Sequence, residues 1–335
     1  MTTTIRDSIE EFKYKKVTGL NPKKDSLQEF KYKKVTDLNP KEEIAPGTAL
    51  CAGCGGLDGI RLALKVLGDD TLICNAAGCF TLISVYPFTP LEGSWLYTSL
   101  SGSVPAAQGV RDALDIRMHK HGLDKKEDLQ VVVVAGDGAS YDMGLSPTSA
   151  AIHRNLDFIY FCYDNEAYGN TGFQQSGASP LGSHTMTSPN TPEHPAGSER
   201  TKKDLFGIWM AHNPPYLATV SPREPIDLSN KFKKAKAMKG PRLFICMSPC
   251  PTGWGFDPKE THLIAKLAVD TGIFPIKEFV DGRVIHTKRP RKRLPVEKYL
   301  ERQKRFKHLF EPERRDDVIA QIQHNVDAYW EQYDD

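Results

Sequence analysis

Five apolar runs punctuate an otherwise mixed chain: TLICN (71–75), VVVVA (131–135), FIYFCY (158–163), YLATV (216–220) and RLFICM (242–247). Runs of that length without polar alternation are expected of strands covered on both faces, as in a parallel sheet. Stretches with helical character, 56–67 and 105–119, lie between them. Strands alternating with helices predict an α/β fold with a doubly wound, mostly parallel sheet. In such sheets ligands gather beyond the carboxyl ends of the strands. The predicted body spans 48–260, and 261–335 is expected to be an extension packed on the body or on partner subunits.

Residues 1–47 carry no such run. They hold a near-exact repeat, EFKYKKVTGLNPK (11–23) and EFKYKKVTDLNPK (29–41). Each copy contains a strand-like FKYKKV and an LNP stop. Two copies are too few to stack as a solenoid. The segment is expected to be an extended polar arm, exposed or laid on a partner subunit.

Composition narrows the picture only slightly. The chain has 335 residues, 26% charged and 39% hydrophobic, with a formal net charge of +2. That balance gives no reason to expect nucleic acid as a partner. The basic run KRPRKR (288–293) is flanked by proline and reads as a solvated strap. No apolar run approaches the roughly 18 residues that span a bilayer, and the first residues lack the apolar core of a signal peptide. A cytoplasmic location is expected. The seven cysteines are then reduced thiols, which favours metal binding or packing over disulfides.

The loops after the strands carry the candidate chemistry. GDGASYDMG (136–144) follows the second run. Gly136 and Gly138 would let backbone approach a phosphate, and Asp137 offers a hard oxygen to a divalent cation. DNEAYGNTGFQQSGASP (164–180) follows the third run, with Asn165 lying 28 residues beyond Asp137. A strand–helix–strand unit has about that length, so the two loops are expected side by side, holding a diphosphate and Mg²⁺.

Cys51 and Cys54 (CAGCGG), Cys79 and Cys250 lie in loops rich in glycine and proline. Cys74, Cys162 and Cys246 lie inside apolar runs, where a thiol behaves as a small hydrophobe. Four loop thiolates suit either zinc or a [4Fe–4S] cluster. One close pair followed by two scattered cysteines leans toward iron–sulfur. Cys246 is the first replacement should Cys250 not be the fourth ligand.

The G-D-G turn and the asparagine-bearing loop together resemble the thiamine diphosphate fingerprint. With CAGCGG, the GC at 78–79, SPCPTGW (248–254) and RPRKRLPVEKYLERQKRFKHL (289–309), residues 45–315 resemble the thiamine diphosphate-binding β subunit of the 2-oxoacid:ferredoxin oxidoreductases. The resemblance implies Mg²⁺ on Asp137, Asn165 and the Ala167 carbonyl, and a [4Fe–4S] cluster on Cys51, Cys54, Cys79 and Cys250. It implies a substrate contact for Asn170 and a diphosphate contact for Thr171. It further implies oxidative decarboxylation of a 2-oxoacid with coenzyme A, electrons leaving through the cluster. The needed partners are α- and γ-type subunits and a δ-type ferredoxin subunit or soluble ferredoxin. Gly56 and Phe173 depart from the family pattern and bear on the substrate, which is pyruvate by default, with oxalate, 2-oxoglutarate and phenylglyoxylate as alternatives. His184 has no assigned role. A non-redox thiamine enzyme and a zinc-stabilised scaffold are the competing readings.

Overall fold

A computed structural model describes residues 31–85, 87, 89–121 and 129–333. The first copy of the repeat lies outside the described residues. Tyr32 onward belongs to one compact unit, so packing begins ahead of the boundary expected at 48.

The eight-stranded sheet has the order β2-β1-β3-β4-β6-β5-β7-β8. The five apolar runs become β1 (Thr71–Ala76), β3 (Gln130–Gly136), β4 (Phe158–Asp164), β5 (Tyr216–Val220) and β6 (Pro241–Met247). They pair in parallel throughout. β2 (Ser94–Thr98) extends one edge in parallel, and β7 (Ile276–Val280) and β8 (Arg283–Lys288) extend the other antiparallel. β2 and β8 are half-exposed edge strands with polar residues interspersed, and β7, though largely buried between β5 and β8, carries Lys277 and Glu278, which is why no apolar run marks the three. The C-terminal extension therefore does more than pack on the body: its two strands complete the sheet.

The valines of β3 show how the sheet is covered. Val132 and Val134 face α1 (Gly55–Leu67) and α5 (Pro225–Lys236), among Ile60, Leu64, Leu228 and Phe232. Val131 and Val133 face the opposite layer, α2 (Ser103–His121), α3 (Leu145–His153) and α4 (Leu205–Met210). A third core joins α6 (Thr261–Asp270), α7 (Glu297–Leu300) and α8 (Asp316–Glu331) around Trp254, Phe306 and Trp330.

The second repeat copy is not a strand. Val35–Asp37 is a 3-10 turn, because the Asp37 carboxylate accepts the backbone N–H groups of Lys33 and Lys34. The first copy has Gly19 at the matching position and lacks that acceptor. Leu38 is buried, and Tyr32 exchanges two hydrogen bonds with Asn230. In the basic run, Arg289 donates to the Tyr333 carbonyl and Arg293 lies over the Trp330 ring. Among the described residues no helix is long and apolar enough to cross a membrane.

Candidate cofactor and cluster site

The carboxyl ends of β1, β3 and β4 surround a cavity of about 170 Å³. Gly136, Asp137, Gly138, Asn165, Ala167, Asn170 and Thr171 all line it, as does Cys79. Asn170 and Thr171 are exposed at its mouth, whereas Asp137 and Asn165 are buried.

Three polar groups meet at its base. One terminal atom of the Asn165 amide lies 2.7 Å from Asp137 Oδ1 and 2.8 Å from the Ala167 carbonyl oxygen. With its oxygen there, three acceptors face one another with no donor between them, and the amide nitrogen points to Cys79 Sγ at 3.8 Å. A divalent cation resolves such a cluster: neighbouring oxygens on octahedral Mg²⁺ lie about 2.9 Å apart. With the amide turned over, its nitrogen donates to both oxygens instead. These residues thus have the chemistry and spacing to hold Mg²⁺. Burial, and then the nearby Asp164 carboxylate, push the Asp137 carboxyl well above its ordinary range. A bound cation would oppose both effects.

The cavity floor also fits an anionic ligand. The Tyr163 hydroxyl is buried beside the Phe80 backbone N–H, lines the cavity, and has no acceptor for its own proton among the described residues. Its ring stacks on Phe80 at 4.0 Å. A Cβ on Gly78 would lie 2.5 Å from that hydroxyl, so glycine there keeps the donor accessible. Tyr163 and Gly78 were not among the expected site residues, because each is absorbed in the sequence by a strand or a cysteine motif.

The four loop cysteines converge beside this cavity. Gly55 N–H donates to the Pro249 carbonyl at 3.1 Å, and a Cβ on Gly55 would lie 2.5 Å from Pro249. Glycine after Cys54 thus lets the CAGCGG loop close on the loop that carries Cys250. Cys54 occupies the N-cap position of α1, where the Leu57 and Gly56 amides oppose the effect of burial on its thiol. Cys250 Sγ accepts from Gly253 N–H at 3.3 Å. Burial pushes the Cys54 and Cys79 thiols up to about 12 and raises Cys250. The Cys250 sulfur adds to the rise at both Cys54 and Cys79, and Cys51 to the rise at all three. The four therefore sit within mutual electrostatic reach. Among the described residues, no three His, Cys, Asp or Glu side chains close tightly enough around one point for a single ion. Cys74, Cys162 and Cys246 are fully buried in β1, β4 and β6.

An ion network backs the cavity. Lys202 bridges Asp164 at 2.6 Å and Glu166 at 3.0 Å, and Arg305 meets Glu166 at 2.7 Å. Burial would raise Glu166, but Lys202 and Arg305 outweigh it and hold its carboxyl below the ordinary value.

Residues 76–246 match the family model for the C-terminal TPP-binding domain of thiamine pyrophosphate enzymes. The chain is 43% identical to pyruvate synthase subunit PorB of Methanothermobacter thermautotrophicus, over 86% of this chain and 96% of that protein. The chain belongs to the 2-oxoacid:ferredoxin oxidoreductase family. It is 36% identical to ketoisovalerate oxidoreductase subunit VorB of Pyrococcus horikoshii, over 87% of this chain and 92% of that protein. Its fold is similar to a solved 2-oxoglutarate:ferredoxin oxidoreductase of Magnetococcus marinus, with a TM-score of 0.50 and 20% identity, covering 71% of this chain and 82% of that one. The protein is thus an oxidoreductase subunit with a thiamine diphosphate-binding domain, which displaces the scaffold and non-redox readings. In this 2-oxoacid:ferredoxin oxidoreductase subunit, the two departures from the family pattern lie away from the cavity. Gly56 packs under Phe80, and the Phe173 ring lies over Gly253 beside Cys250. His184 is also outside it, bonded to Asn190 near His308.

Proposed function

We propose that this chain is the thiamine diphosphate- and cluster-bearing subunit of a pyruvate-oxidising 2-oxoacid:ferredoxin oxidoreductase. The observation that carries the reading is the meeting of Asp137 Oδ1, the Asn165 amide and the Ala167 carbonyl beside Cys79. In this reading those three groups hold Mg²⁺. Gly136 and Gly138 admit the diphosphate, Thr171 contacts it, and Asn170 faces the substrate at the cavity mouth. Cys51, Cys54, Cys79 and Cys250 hold a [4Fe–4S] cluster. What supports this reading is that the four loop thiols influence one another electrostatically beside the cofactor cavity.

When bound, the thiazolium ring supplies the electron sink for loss of CO₂ from a 2-oxoacid, and the cluster accepts the electrons. The chain's own residues do the positioning. The Tyr163 hydroxyl offers a donor at the cavity floor. The Asn165 amide spans from the metal position to the Cys79 sulfur, fixing the cation and the cluster in register. Asn170 and Thr171 are exposed, in keeping with an α-type partner that closes the mouth. A γ-type partner and a δ-type ferredoxin subunit or soluble ferredoxin complete the proposed assembly, with coenzyme A taking the acyl group in the cytoplasm.

The assembled complex, purified without oxygen, is expected to hold about four irons per copy of this chain beyond those of its partners. It should reduce a viologen dye with pyruvate faster than with 2-oxoisovalerate, 2-oxoglutarate, oxalate or phenylglyoxylate. A complex in which this chain binds zinc in place of iron, or that reduces dye with none of these acids, would overturn the proposal.

A further inference from the structure

A second, largely apolar cavity lies apart from the cofactor site. About 470 Å³ opens between β5, β6, β7, α4 and α8, walled by Phe206, Ile245, Phe274, Leu300, Val326 and Tyr329. Asp164, Glu166 and Lys202 lie at one end, but they and Arg305 neutralise one another.

Lys277 of β7 is different. It is 8% exposed, lines the cavity, and forms no ion pair with any described carboxylate. Its ammonium lies 4.1 Å from the centre of the Phe206 ring and 4.7 Å from that of Tyr329. Two aromatic faces hold it where a carboxylate would be expected. Its strand neighbour Glu278 is occupied by Tyr216 and Lys234. Asp204 exerts an attractive field on it but is engaged in capping α4. A buried cation without an anionic partner is costly, and the space beside this one is apolar and large enough for a ligand.

We propose that this cavity binds a carboxylate with an apolar tail, the tail lying among Phe274, Leu300 and Val326 and the carboxylate pairing with Lys277. The site is separate from the cofactor cavity and shares none of its lining residues. It stands whether or not the redox proposal does.

Titration calorimetry of the full chain with decanoate, against decan-1-ol as the uncharged counterpart, tests it. Decanoate should bind saturably at one site, and at least tenfold more tightly than the alcohol. Lys277→Met should weaken decanoate at least tenfold and leave the alcohol unchanged. Val326→Trp, which fills the cavity, should abolish both. On the unaltered protein, decanoate should slow acetylation of Lys277 by acetic anhydride, read by mass spectrometry. Absence of saturable decanoate binding, or acetylation of Lys277 that decanoate does not slow, would overturn the proposal.

Discussion

Trp254 donates its indole N–H to the backbone carbonyl of Asn165 at 2.8 Å. That bond ties the turn after Cys250 to the loop that carries the proposed Mg²⁺ ligands. Trp254 is fully buried, and the Arg305 guanidinium stacks on its ring at 3.8 Å. Trp254→Phe keeps most of the packing but leaves the Asn165 carbonyl unpaired, at a cost of about 1–3 kcal/mol. The unfolding midpoint should fall. Because the orphaned carbonyl belongs to the metal loop, thiamine diphosphate affinity in the presence of Mg²⁺ should fall with it, by roughly tenfold. A drop in stability with unchanged cofactor affinity would show that the two loops are joined but not coupled.

Asp137 gives two effects of opposite sign. Its carboxylate is buried close to Asp164, and without a cation that arrangement is unfavourable. Asp137→Asn removes the charge and keeps the shape. The cofactor-free chain should therefore melt at a higher temperature than the unaltered one. Thiamine diphosphate released from the purified complex should nonetheless drop below about a tenth of its normal content, because a carboxylate ligand to Mg²⁺ has become an amide. Scanning calorimetry and cofactor quantification read the two effects separately. A variant that kept its cofactor would remove Asp137 from the metal site.

How far this was legible in the sequence depends on what each residue answers to. Val131–Ala135 and Phe158–Tyr163 announce themselves because a strand covered on both faces must be apolar throughout. Lys277 hides β7, because a charge breaks the apolar run of a strand that is buried between β5 and β8, and nothing in the string shows the two rings that hold the ammonium. Asp137 and Asn165 are readable because strand and helix lengths fix their separation. Tyr163 is not, since nothing in the string distinguishes a hydroxyl facing a cavity from one buried at a strand end. Trp254 and Arg305 are 51 residues apart in the chain, and only the third core brings them onto the metal loop.

The choice between Cys250 and Cys246 as fourth ligand is open to a direct comparison. Cys246 Sγ sits where a Cβ on Gly59 would approach to 2.6 Å, locked among α1 and Phe161. Cys250 is only partly buried and lies in reach of Cys51, Cys54 and Cys79. Cys250→Ala should lose the cluster's iron and its visible absorption. Cys246→Ala should keep both while losing about 1–2 kcal/mol of stability for the vacated volume. The reverse pattern of iron content would move the cluster into the sheet.

Lys277 makes a prediction that needs no ligand. Burial lowers its ammonium from the ordinary 10.5 to about 8, with Asp204 opposing the shift. The unfolded chain therefore holds a proton on this lysine that the folded chain gives up between about pH 8 and 10.5. Stability should rise with pH across that window, since the unfolded state binds more protons there. Below pH 8 the folded state carries the full desolvation cost, roughly 3 kcal/mol from the shift. The two cation–π contacts recover roughly half of it. Lys277→Met removes the charge and fills similar space with an apolar chain. At pH 7 it should be more stable than the unaltered protein by about 1–2 kcal/mol, and the advantage should shrink as the pH is raised toward 10.5. Denaturant unfolding of both proteins across that range measures the difference. An advantage independent of pH would mean that the ammonium is already satisfied in the folded chain, by water or by a group within the cavity.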